Sequence, residues 1–128
     1  MSLKQVSTKN APAAIGPYSQ AVIAGDFMYI SGQIPVNPEN SKVVEGGIEE
    51  QTRQVLENIK AILAEAGKDF SSVVKVEIFL ADIEDFKTVN GIYAEYFTSD
   101  PKPARQAVEV ANLPLYVKIE ISCIAYMA

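Results

Sequence analysis

Only two of the eleven basic residues in this chain are arginines, Arg53 and Arg105, and Arg105 is the stronger candidate for chemistry. It follows Pro103-Ala104, where the proline restricts the backbone that enters a predicted strand. A guanidinium presents a planar fork of donors that matches a carboxylate, and it never loses its charge. This position predicts a binding site for a small carboxylate, although spacing alone is equally compatible with a surface arginine. Arg53 lies four residues after Glu49 on a predicted helix, where an exposed ion pair explains it.

Glu120 is the carboxylate best placed to act on a water molecule. It lies on the polar face of the last predicted strand, together with Lys118 and Ser122. A carboxylate in this position can orient or deprotonate water. It can also serve as the cross-strand partner of a lysine, and the position of Glu120 taken alone favours this second alternative.

Further polar residues supply hydrogen-bonding groups without defining a reaction. Tyr18 in GPYSQA and the pair Ser31 and Gly32 in ISGQ are candidates, and so is Asn90 on a predicted helix. Tyr18 is equally explained by packing, and Asn90 by exposure to solvent. Cys123 alternates with apolar residues of the last strand, which indicates a small buried side chain rather than a reactive thiol.

The composition excludes several classes of function. The chain of 128 residues contains no histidine, which rules out histidine relays and histidine-ligated metals and leaves acid–base work to carboxylates, Tyr, Lys or water. No carboxylate pattern resembles a calcium loop. The net charge of −5 argues against broad binding to nucleic acid. One cysteine permits no intrachain disulfide, and no apolar run is long enough for a membrane span, so we expect a soluble cytoplasmic protein.

The elements that must position these residues begin with a hairpin. Gly25-Asp26, flanked by the β-prone runs 20–24 and 27–31, predicts a type II′ turn. A loop rich in Pro, Asn and Gly follows over 35–47. Apolar residues at three- and four-residue spacing then predict a helix that stops at Gly67: Ile48, Val55, Ile59, Ile62, Leu63 and Ala66.

The second half of the chain predicts a strand over 73–80, a second helix and two more strands, 105–110 and 117–125, with a turn at 113–114. Asp82 is the predicted cap of this helix. Its apolar stripe consists of Phe86, Val89, Tyr93 and Phe97. With a short N-terminal strand, the order β-β-β-α-β-α-β-β predicts one α+β domain over residues 1–128, a mixed sheet of about six strands with both helices on one face.

Apolar residues on both faces of the strands predict a partner for the second face of the sheet. Alternation in 73–80 places Val74 with Val76, Ile78 and Leu80, and Val73 with Phe79 on the opposite face. Ile124 likewise lies opposite the buried face of its strand. Since two helices cover only one face, we expect further copies of the chain to cover the other.

Several segments in order along nearly the whole chain resemble one known family. They are IGPYSQAV, ISGQIP, GGIEEQTRQVLENIKAIL, VEIFLADIEDF, VNGIYAEYF, KPARQAVEVANLP and VKIEISCIA. The chain is similar to the RidA (YjgF) family of reactive-intermediate imine deaminases. The resemblance implies a chorismate-mutase-like fold assembled as a homotrimer, with sites between subunits and no metal or organic cofactor. It also implies hydrolysis of 2-imino acids, formed from enamines such as 2-aminoacrylate, to 2-oxo acids and ammonia.

Carried over by motif, the resemblance gives Arg105 the substrate carboxylate and Glu120 the attacking water. It places three side chains and two backbone positions around the substrate: Tyr18, Ser31 and Asn90, and Gly32 and Ala107. Gln106 and Ala107 replace the Ser or Thr and the Cys common in relatives, and Asn112 replaces a frequent Arg. Two rival functions remain: a carboxylate-binding or chaperone-like module without turnover, and an endoribonuclease or translation inhibitor, against which the acidic balance speaks.

Overall fold

Six strands form one mixed sheet, and two helices pack against one of its faces in the computed structural model, which describes residues 2–128. The strands of this sheet are β1 Lys4–Val6, β2 Ala21–Ala24, β3 Phe27–Gln33, β6 Val73–Leu80, β7 Ala104–Glu109 and β8 Ile119–Tyr126. The helices are α1 Ile48–Glu65 and α2 Phe86–Tyr96. The strand order is β1-β2-β3-β8-β6-β7, and only β6 and β7 are parallel. The α+β prediction is confirmed. None of the helices within residues 2–128 is long and apolar enough to cross a membrane.

The predicted hairpin is present between β2 and β3. Ala24 pairs with Phe27, so Gly25 and Asp26 form the two-residue loop. Gly25 has a φ of 61°, and Asp26 is not among the residues with positive φ, which agrees with a type II′ turn. The following loop holds more structure than predicted, because β4 Val36–Asn37 and β5 Lys42–Val43 pair within it.

Helix α1 begins and ends where the sequence predicts. The backbone N–H of Gly47 donates to Glu50 Oε1 at 2.8 Å, and this hydrogen bond lowers the pKa of Glu50. Gly67, with a φ of 74°, follows the last turn. The predicted ion pair of Arg53 with Glu49 is long, with 3.9 Å between nitrogen and oxygen. Arg53 is closer to Glu95 of α2, whose two carboxylate oxygens accept hydrogen bonds from its Nη1 and Nη2 at 3.1 and 3.2 Å.

The core face of α1 contains two buried amides that the apolar spacing does not predict. Asn58 Nδ2 donates to the carbonyl oxygens of Ile34 and Val36 at 3.2 and 3.0 Å. Gln51 Oε1 accepts from the backbone N–H of Lys118 at 2.8 Å. Both amides therefore satisfy backbone groups of connecting segments, and Gln51 anchors the start of β8.

Helix α2 carries the predicted stripe, and Val89, Tyr93 and Phe97 are buried. Its start differs from the prediction, because Asp82 caps a short 3-10 turn, Ile83–Asp85, that leads into the helix. The Asp82 carboxylate accepts from the backbone N–H of Glu84 at 2.9 Å.

The predicted alternation is wrong at the start of β6. Val73 is only 4% exposed, whereas Val74 is 40% exposed. The cause is a shift in the pairing of β6 with β8 between Val73 and Lys75, which turns the first residue of the strand towards the helices. From Val76 onward the alternation holds.

The face of the sheet away from the helices, called the open face here, is partly apolar. Phe27 and Tyr126 are cross-strand partners with ring centroids 5.6 Å apart, and both are exposed. Tyr29, paired with the half-buried Ile124, is 49% exposed. These exposed aromatic side chains lie on neighbouring strands rather than singly, which is typical of a surface that binds a partner.

Candidate functional site

Arg105 is the second residue of the edge strand β7. It is in register with Val76, whose side chain is fully buried beneath the helices, so Arg105 points to the same side of the sheet. There its Nη1 donates to Asn90 Oδ1 at 2.7 Å. Its Cζ lies 5.2 Å from the ring centroid of Phe86 and 4.7 Å from that of Tyr93. Three residues of α2 thus hold the guanidinium.

A cleft of about 640 Å³ lies beside Arg105, between α2 and the segment that leads into β7. Asn90, Tyr93 and Lys102 also line it. Within residues 2–128, two cations line the cleft. The Nζ of Lys102 pairs with Asp100 at 3.2 Å, whereas Arg105 forms no ion pair with a carboxylate among the described residues. Ala107, two residues farther along β7, lines an adjacent recess. The cleft can receive a small anion.

Glu120 lies on the open face of β8. Its neighbours Ile119 and Ile121 are fully buried beneath the helices, and its cross-strand partner is Phe79 rather than a lysine. The carboxylate is half-buried, and this burial raises its pKa. A carboxylate with a raised pKa gives up and takes up protons closer to neutral pH, which suits acid–base work on water.

Gly32 makes room for this carboxylate. A Cβ built on Gly32 would lie 2.9 Å from Glu120 Cδ, a distance that real Cβ contacts essentially never show. The pairing of β3 with β8 shifts between Ile30 and Gln33, so Ser31 and Gly32 lie outside the regular ladder. A side chain at position 32 would displace the Glu120 carboxylate, so Gly32 allows the carboxylate to lie where it does.

Ser31 lies where the pairing of β3 with β8 is irregular, and it binds the segment before β2 through two hydrogen bonds. Its backbone N–H donates to the carbonyl of Gln20 at 2.9 Å, and its Oγ donates to the carbonyl of Ser19 at 2.6 Å. Gln20 is 3% exposed, and its Nε2 donates to the carbonyl of Pro12 at 2.8 Å. Sequence reasoning did not single out Gln20, although it belongs to GPYSQA, the motif that it organises.

Tyr18 lies between Pro12 and Gln20, in the segment that the hydrogen bond of the Gln20 side chain to Pro12 holds in place. Its ring is 54% exposed and, together with Gly32, lines a cavity of about 150 Å³. The remaining lining is largely apolar and includes Ile15, Ile34 and Leu115.

The predicted site residues therefore form two groups. Arg105, Asn90 and Ala107 lie on the helix side of the edge strand, whereas Glu120 lies on the open face, next to Gly32. In the strand order β7-β6-β8, strand spacing and rise put the Arg105 and Glu120 backbones roughly 14 Å apart. Because their side chains also leave opposite faces, one chain does not present both to one small molecule.

Neither metal ligation nor a reactive thiol is indicated. Within residues 2–128, no cluster of three or more Asp, Glu or Cys side chains could hold a metal ion. Cys123 is buried, as predicted, and burial raises its pKa to about 12, so the thiol stays protonated.

Comparisons with known proteins agree over nearly the whole chain. A family model described as Endoribonuclease L-PSP (Ribonuc_L-PSP) matches residues 8–127. The human protein named 2-iminobutanoate/2-iminopropanoate deaminase is 52% identical over 120 residues, 94% of this chain and 87% of the human protein. The structure of YyfA from Yersinia pestis, described as a protein of unknown function of the conserved Rid protein family, is 48% identical with a TM-score of 0.96, covering 98% of this chain and all 100% of that one. That of Escherichia coli TdcF with bound serine is 40% identical with a TM-score of 0.90, covering 98% and 99%.

Proposed function

The chain belongs to the endoribonuclease L-PSP (RidA/YjgF) family, and from this premise we propose that it hydrolyses 2-imino acids to 2-oxo acids and ammonia. The reaction is the one for which the human relative is named, and small aliphatic substrates such as 2-iminopropanoate follow from that name. The observation that carries the proposal is Arg105, held at the wall of a cleft without a carboxylate partner of its own. The serine bound to TdcF, a small molecule with a carboxylate, supports the same ligand class.

In the proposed reaction Arg105 binds the substrate carboxylate and Glu120 accepts a proton from water. The water oxygen forms a bond to the imine carbon while the π electrons of the C=N bond move to nitrogen. Glu120 returns its proton to that nitrogen, which gives a carbinolamine. Glu120 then takes the proton of the carbinolamine hydroxyl and passes it to the amine nitrogen, so that the C–N bond breaks and ammonia leaves as the C=O bond forms. An imine carbon is already electrophilic, so orienting the two reactants supplies much of the rate gain. The family resemblance assigns Tyr18, Ser31 and Asn90 to the lining of this pocket, and the backbones of Gly32 and Ala107 to the imine end.

A site that uses both Arg105 and Glu120 needs two copies of the chain, because the two residues lie on opposite faces of one sheet. The exposed aromatic residues of the open face, Phe27, Tyr29 and Tyr126, support association through that face. The family resemblance indicates a homotrimer with one site between each pair of neighbours. Light scattering at micromolar concentration tests this directly, and a monomer mass excludes it.

The activity is tested with an amino-acid oxidase, its amino-acid substrate and semicarbazide, which traps the imine that the oxidase releases. Faster loss of imine on adding this protein is the expected result. An unchanged rate, together with binding of pyruvate, favours the rival carboxylate-binding module.

A cytoplasmic location and the lack of nucleic-acid and membrane partners remain part of the proposal. Cleavage of RNA by the purified protein, abolished in Arg105→Ala and Glu120→Gln, would favour an endoribonuclease instead.

A further inference from the structure

Tyr93 is the buried residue of α2 that contacts the guanidinium of Arg105, the proposed binding group for the substrate carboxylate. Its ring centroid lies 4.7 Å from Arg105 Cζ, closer than that of Phe86 at 5.2 Å. A guanidinium within about 6 Å of an aromatic ring is attracted by the negative charge of the ring face. Asn90, one turn earlier on the same helix, accepts from Nη1 of the same guanidinium. Ring and amide together restrict a side chain that otherwise has many rotamers.

The aromatic packing behind Tyr93 keeps its ring in place. Its ring is stacked on Phe97 with centroids 4.1 Å apart and an interplanar angle of 17°. Phe97 in turn makes an edge contact with Phe70, centroids 4.8 Å apart. A ring supported from behind by two further rings provides Arg105 with a rigid surface.

Within the part of the chain that the structure describes, the hydroxyl of Tyr93 forms no hydrogen bond that would explain a tyrosine at this position. It is buried and has no hydrogen-bond partner of good geometry among residues 2–128. Burial raises its pKa to about 12 in spite of the nearby Arg105 charge, so it stays neutral. The Arg105 guanidinium lies near this hydroxyl and opposes the rise in its pKa, but the contact of good geometry is the one between the guanidinium and the ring face.

We propose that Tyr93 is a positioning residue, whose ring holds the Arg105 guanidinium in the orientation that receives the substrate carboxylate. The inference rests on the proposed function, since it assigns Arg105 to the carboxylate. It adds a residue that contacts the guanidinium and, like Asn90, lines the same cleft. Positioning acts on binding in the ground state and the transition state alike, so its loss raises KM more than it lowers kcat.

The first test compares kinetics of three variants. Tyr93→Leu removes the ring, and we expect KM for the imine and Kd for pyruvate to rise about five- to tenfold with kcat nearly kept. Tyr93→Phe keeps the ring and should restore both constants to within about twofold of the wild type. Tyr96→Leu is the matched control, because Tyr96 is on the same helix and contacts Phe70 and Glu57 rather than Arg105. Equal effects of the two leucine variants would reduce Tyr93 to a core residue and overturn the proposal.

The second test observes Arg105 without any turnover. Because the chain has only two arginines, the side-chain Nε–Hε region of a ¹⁵N NMR spectrum contains two signals, assigned through Arg105→Lys. In Tyr93→Leu the Arg105 signal should move as the ring current is lost, while that of Arg53 stays. An unmoved Arg105 signal overturns the inference. A wild type that hydrolyses no imine overturns the proposed function instead, so the two failures are distinguishable.

Discussion

The region around Arg105 and the region around Glu120 fix a charged side chain by different means. Arg105 lies against rings and an amide of α2, which support the cation and leave donors for a ligand. Glu120 lies against the bare backbone of Gly32, where half-burial raises its pKa and no lysine compensates its charge. The first arrangement attracts and orients a cation, whereas burial in the second disfavours the charged form of the carboxylate. This difference agrees with the two proposed roles, binding of the carboxylate by Arg105 and proton transfer by Glu120.

The largest effect is expected from Glu120→Gln. An amide cannot accept the proton of the attacking water, so kcat should fall about 100-fold or more. Because Arg105 is untouched, calorimetry should show unchanged binding of pyruvate. Since burial raises the pKa of Glu120, kcat of the wild type should decline with acidification at a higher pH than an exposed glutamate gives, and the variant should lack this decline. Normal hydrolysis in the variant would remove Glu120 from the mechanism.

A smaller effect on the other region is expected from Arg105→Lys. The charge remains but the planar fork is lost, which costs roughly 1.5–3 kcal/mol of binding to a carboxylate. We expect kcat/KM for 2-imino acids to fall about ten- to a hundredfold, with weaker pyruvate binding and an unchanged melting temperature. Unaltered kinetics would make Arg105 a surface residue.

Gly32→Ala sharpens the comparison at the Glu120 side. The added Cβ must push the carboxylate away, since Cδ and Cγ would lie 2.9 and 3.1 Å from it. We expect kcat to fall about tenfold while pyruvate binding through Arg105 changes less. The matched control is Gly91→Ala on α2, where a Cβ meets no atom within 4 Å and activity should be kept. Equal activity of both variants would show that the contact of Glu120 with Gly32 is irrelevant.

The sequence predicts the elements of this fold well where the signal is local. The apolar spacing of α1, the two-residue turn at Gly25 and the strands are confirmed because each depends on neighbouring residues. The exposure of Val74 is not predicted, because the shift in β6 arises from pairing with β8. The buried amides Gln51 and Asn58 are missed for the same reason: the backbone groups that they satisfy lie at least 22 positions away in sequence.

The candidate site follows the same rule. The scarcity of arginine and the preceding proline single out Arg105, and strand alternation singles out Glu120. Neither signal reveals that the two leave opposite faces of the sheet, because that depends on the strand order. Nor does the apolar stripe of α2 reveal that Tyr93 and Phe86 contact Arg105. An apolar stripe predicts which side chains of a helix are buried. It does not predict that Arg105 of β7 packs against them.

The most direct test of the account is a mixture of two inactive variants. Arg105→Ala and Glu120→Gln chains are unfolded together, refolded as mixed assemblies, and assayed for imine hydrolysis, with native mass spectrometry confirming that both chains are present. If one chain supplies Arg105 and its neighbour Glu120, a random equal mixture should regain about a quarter of the wild-type activity. Mixed assemblies that remain as inactive as either variant alone would contradict a site shared between two copies of the chain.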